Sequence, residues 1–116
     1  MNEFTINMCR GDTNDIVFSI RADDFELSIA EIYFTVKRYP NDKKKLIQKR
    51  LSSGEIAYYE DLNCYKFRIE PSDTNQLSFG KYVCDIEIST ENNDIVRTFN
   101  GILYVDKEVT SWSDKT

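Results

Sequence analysis

Two adjacent acidic pairs, Asp23-Asp24 and Glu60-Asp61, hold the residue types that a glycoside hydrolase uses as acid and base. That chemistry needs one carboxyl kept protonated by its surroundings beside a carbohydrate cleft. Both pairs fall where strands end, and acidic pairs there read as solvated turn residues. Histidine is absent from all 116 residues. A Ser-His-Asp triad, a Cys-His pair and a histidine-ligated zinc site each lack a necessary part on that count. The oxygen-rich segments RGDTND (10–15) and ENND (91–94) are candidate calcium loops, yet neither follows the EF-hand order of carboxylates closing on a glutamate. Turn chemistry accounts for both. The expectation is a protein that is not an enzyme, with no catalytic residues, no cofactor and no metal.

Cys9, Cys64 and Cys84 cannot all pair within one chain, and no Cys-x-x-Cys occurs. Free thiols in a reducing compartment follow. Arg10-Gly11-Asp12 spells the tripeptide of integrin ligands, but so short a motif recurs by chance. Gly11 is read as supplying a positive φ to the turn between the first two strands. The one basic cluster, Lys43-Lys44-Lys45 with Lys49 and Arg50, lacks the interleaved aromatics that stack on bases, and its expected role is to keep an exposed hairpin edge soluble. Fifteen Lys and Arg against twenty Asp and Glu leave a net charge of −5, which repels phosphate backbones and anionic lipid surfaces. Neither nucleic acid nor membrane is an expected partner. The start MNEFTINMC has no basic region or apolar run, and no stretch nears the roughly eighteen apolar residues of a membrane span, so synthesis in the cytoplasm is expected.

Strands must position these residues. Apolar side chains recur at every second position, the period of a strand with one buried face: Phe4, Ile6, Met8; then Ile16, Phe18, Ile20; then Ile32, Phe34, Val36. The pattern continues from Leu46 to Leu51, through Tyr65, Phe67 and Ile69, through Tyr82, Cys84, Ile86 and Ile88, and from Ile95 to Val105. Pro71 stops one strand because it has no amide hydrogen to donate, and Ser72 is expected to cap a short helical turn ending near Leu77. Asn100-Gly101, inside the last strand, reads as a bulge. The expected fold is all-β, an immunoglobulin-like antiparallel β-sandwich of seven or eight strands, with one short helical turn before the penultimate strand. Residues 1–106 form the domain and 107–116 a C-terminal tail or linker.

The stretch LSFGKYVC (77–84) carries the corner of such a sandwich. A Tyr at the start of the penultimate strand, two residues before a Cys, can bury its ring and bond its hydroxyl to backbone upstream, here expected near Asp73 or Thr74. Leu77, Gly80 and Tyr82 are therefore fold-defining, together with Gly11. A disulfide at Cys84 would need a Cys on the second strand, which carries Ile16, Phe18 and Ile20 instead. Cys84 reads as a buried free thiol.

The segments RGDTNDIVFSI (10–20), IYFTVKR (32–38), LIQKRLSSGEI (46–56), YKFRIEPSDTNQLSFGKYVCDIEI (65–88) and IVRTFNGILYVDKEVT (95–110) together resemble a family of immunoglobulin-like domains from tailed bacteriophages and prophages. These are baseplate, tail or fibre-associated virion proteins, including the N-terminal domain of upper baseplate proteins. The family pattern falls here on Arg10 to Thr13, Phe34 to Lys37, Gln48 and Lys49, Gly54 to Ile56, Asp73, Thr74 and Leu77, Gly80 to Ile86, and Gly101 to Thr110. Family members commonly have Tyr where Cys84 stands, which implies no disulfide anchor there. The resemblance implies a non-enzymatic structural module, made in the bacterial host cytoplasm and located in the virion. Its partners would be other phage structural proteins and, as a homo-oligomer, itself. A sheet edge or the tail near Trp112 would supply the contact. The alternative is a bacterial adhesion or carbohydrate-binding module that uses Tyr33, Tyr58, Tyr59 or Tyr65 as a stacking platform.

Overall fold

A computed structural model describes residues 3–20, 29–91, 94–110 and 112–115, with the side chains of 95, 96, 112 and 113 outside the description. Among the described residues the chain forms eight strands: β1 (Phe4–Cys9), β2 (Asn14–Phe18), β3 (Ile29–Lys37), β4 (Ile47–Arg50), β5 (Ile56–Tyr59), β6 (Cys64–Ile69), β7 (Gly80–Thr90) and β8 (Ile95–Asp106). They make a five-stranded sheet, β1-β8-β7-β3-β4, and a three-stranded sheet, β2-β6-β5. That is an immunoglobulin-like arrangement, with β4, β3, β7 and β8 joined by the first strand on one side, and β2, β6 and β5 on the other.

The alternating residues meet between the sheets. Phe34 of β3 and Phe67 of β6 are fully buried, and their ring centroids lie 4.4 Å apart across the interface. Burying each such side chain contributes roughly 1.5–3 kcal/mol of transfer free energy, the main reason the two sheets adhere.

Four local expectations are corrected. The sandwich is not wholly antiparallel, because β1 pairs with β8 in parallel, from Phe4↔Gly101 to Cys9↔Asp106. Having left β2 for the opposite sheet, β1 finds as its neighbour a strand that runs the same way. Gly101 is no bulge: Cys84↔Gly101 and Asp85↔Asn100 stay in register, and the irregularity lies between Ile88 and Ser89. A Cβ on Gly101 would sit 2.5 Å from the Phe4 ring, so glycine is there to admit that ring.

The helical turn, α1 (Pro71–Thr74), is capped by Glu70 and not by Ser72. Proline suits the first helical position, which moves the cap one residue upstream. The Glu70 amide donates to Asp73 Oδ2 at 2.7 Å, closing that end of the turn. Finally, Lys49 is no solvated edge charge. It is 8% exposed, and its ammonium lies 2.8 Å from Asp73 Oδ2, where it spans from β4 to α1. Residue 49 shares the inward face with Ile47, opposite Phe34, so its stem packs in the core while its head reaches the rim.

Candidate functional site

The fold-defining residues gather at the pole of the sandwich that holds the 10–13 and 70–79 connections. Gly11 adopts φ +84° and donates its amide to Thr74 Oγ1 at 2.8 Å. Thr74 is fully buried, so this bond ties the first turn of the chain to α1. Leu77 is buried beside it and donates its amide to the Thr74 carbonyl at 2.9 Å. Gly80 takes φ +137°, a conformation that other residues rarely adopt, and opens β7. Tyr82 is 2% exposed, and its hydroxyl donates to the Ser78 carbonyl at 2.7 Å. The tyrosine corner is therefore present, with its acceptor at Ser78 and not at Asp73 or Thr74. The Arg38 guanidinium covers the outer face of the ring, 4.7 Å from its centroid.

Charge fastens the chain's exit to the same pole. Arg10 grips Glu108 with two hydrogen bonds, Nη2 to Oε1 at 2.8 Å and Nε to Oε2 at 3.2 Å. Each partner shifts the other: hydrogen bonding to Arg10 holds the Glu108 carboxyl below the ordinary range, and Glu108 raises Arg10. The same guanidinium lies 4.5 Å over the Phe79 ring. Arg10 is thus committed within the chain, and the Arg10-Gly11-Asp12 tripeptide offers no free guanidinium. Beyond it, Trp112 opens a short helical turn over Trp112–Lys115, and its side chain lies outside the described residues.

Of the two acidic pairs, Asp23-Asp24 lies outside the described residues. Glu60-Asp61 sits in a single exposed helical turn, Glu60–Leu62, as turn residues should. No group of three or more metal-ligating side chains occurs among the described residues. Two carboxylates that sequence reasoning passed over do converge. Asp85 and Glu87 stand two apart on β7, both directed to the outer face of the five-stranded sheet, opposite Thr35 and Tyr33 of β3. They floor a groove of about 750 Å³ whose wall is the β3–β4 hairpin with Pro40, Lys43 and Lys45. Burial, then the neighbouring Glu87, pushes the Asp85 carboxyl above the ordinary range, with Lys37 offsetting part of the shift. The signal was the period of two itself: in CDIEI the polar residues share a face as surely as the apolar ones.

The tyrosines divide between the sheets. Tyr33 lies on the outer face just described, with the Arg50 guanidinium 4.9 Å from its ring. Tyr58 and Tyr65 pair across β5 and β6, and Phe18 stacks on Tyr65 at 5.5 Å. Tyr58 and Tyr65 are inclined at 52°, so they form no flat platform, while Tyr59 projects from the other face toward Lys66. No helix among the described residues is long and apolar enough to cross a membrane. No family model matches the chain, and no curated protein matches it.

Proposed function

We propose that the chain is a non-enzymatic structural module of a phage or prophage virion, associated with the tail or baseplate, and that it works through protein–protein contacts. One observation carries the reading. The separated pieces of the family pattern touch one another: Gly11 bonds Thr74, Arg10 bonds Glu108, and Lys49 pairs with Asp73. Residues that resemble a family only in scattered segments thus form one connected network, as expected if the whole pattern encodes one rigid body. Such a body presents sheet edges, an outer sheet face and a tail to partners.

Mass spectrometry of purified virions from the host strain tests the reading, with the chain expected among the structural proteins; its absence from intact particles would overturn it. Incorporation of Trp112→Ala and of a chain ending at residue 110 then tests the tail as the contact. The truncation must spare Glu108, because removing it would also release Arg10.

A further inference from the structure

We propose that the outer face of the five-stranded sheet is a self-complementary surface on which two copies of this chain pair about a two-fold axis. The proposal rests on reading the chain as a protein-contact module and adds the partner and the face. The face carries both signs of charge, separated along the strands. Lys37 stands beside Val83, Thr35 beside Asp85 and Tyr33 beside Glu87, so the free ammonium and the acids occupy successive rows. Lys43 lines the groove at its hairpin wall.

Among the described residues Asp85 and Glu87 have no ion pair and no side-chain hydrogen bond, and neither do Lys37 and Lys43. Lys45 reaches only Gln48, with Nζ donating to Oε1 at 2.9 Å. Arg50, the β4 cation opposite Tyr33, is already held by Glu31 and the Tyr33 hydroxyl.

A two-fold axis running across the strands reverses this order in the second copy. It sets the lysines of one copy over Asp85 and Glu87 of the other, and each contact occurs twice. A wholly cationic or wholly anionic partner would be repelled by one half of the face. The raised Asp85 carboxyl fits a floor whose charge Lys37 offsets only in part within a single copy.

Sedimentation velocity on the full chain tests this, with a concentration-dependent dimer expected that weakens about ten-fold or more at high ionic strength. Asp85→Lys with Glu87→Lys, and separately Lys37→Glu with Lys43→Glu, should each give a folded monomer by circular dichroism. Mixing the two variants should restore a heterodimer. A wild-type chain that stays monomeric at every concentration, or swapped variants that dimerise unchanged alone, or a mixture that fails to associate, would overturn the proposal. Should the Asp85 change unfold the sheet, Glu87→Lys and Lys43→Glu are read in its place, since both leave the Asp85 carboxyl intact. A monomeric chain could still be found in virions, so this failure is distinct from failure of the virion reading.

Discussion

Tyr82 joins two roles in one side chain, with its ring in the core and its hydroxyl on the Ser78 carbonyl at 2.7 Å. Tyr82→Phe keeps the first and removes the second, so the expected cost is about 1 kcal/mol, read as a shift in the urea midpoint without change in slope. Asp85 and Glu108 should respond to pH with opposite signs. Asp85 has its folded pKa raised, so the folded state holds its proton more tightly, and its contribution improves as pH falls and worsens as pH rises through that window. Asp85→Asn should therefore melt higher than wild type at neutral pH, with the gain fading in acid. Glu108 has its folded pKa lowered by Arg10, so its stabilisation is present at neutral pH and lost as pH falls through that folded value. Glu108→Gln should melt lower at neutral pH and match wild type in strong acid; parallel melting curves across pH would contradict both. Cys84 completes the residue scale. Burial pushes its thiol up to about 12, leaving about one thiolate in ten thousand at pH 8, so alkylation should label the less buried Cys9 first.

Elements were legible wherever one face is apolar and the other polar. Phe4–Ile6–Met8 and Tyr82–Cys84–Ile86–Ile88 announce β1 and β7 because alternation is the physical cause of a half-buried strand. Pairing was less legible. Nothing in FTINMC says that its neighbour is a strand almost a hundred residues away running in the same direction, since a parallel partner leaves no turn between the two. The Gly101 error has the same origin: the reason for glycine is the Phe4 ring, which comes from that unseen partner. Lys49 was misread because its charge spoke louder than its place in the alternation Ile47, Lys49. The groove on the outer sheet face was half legible. That Asp85 and Glu87 share a face follows from spacing, whereas the hairpin that walls them in does not. Gly101→Ala should destabilise by about 1–3 kcal/mol through overpacking, and Phe4→Ala should relieve much of that strain. A thermodynamic cycle in which the two substitutions add without coupling would refute the packing account.

At the scale of the whole molecule, β1 closes the fold. Its pairing with β8 joins strands almost a hundred residues apart, from Phe4↔Gly101 onward, while β7 and β8 are neighbours in sequence, ending at Thr90 and starting at Ile95. Loop closure charges entropy before a contact can reward it, so the β7–β8 and β3–β7 ladders are expected to form ahead of β1. The transition state for folding then contains the central strands of the five-stranded sheet and little of β1. Ile6 and Ile86 are both buried in the same core, one on β1 and one on β7, which makes them a matched pair of probes. Ile6→Val and Ile86→Val should each cost about 0.5–1.5 kcal/mol at equilibrium. Ile6→Val should act almost wholly by speeding unfolding, and Ile86→Val should slow folding. Stopped-flow chevrons decide the matter. A folding limb slowed as much by Ile6→Val as by Ile86→Val would mean that the ends of the chain meet early and that β1 belongs to the nucleus.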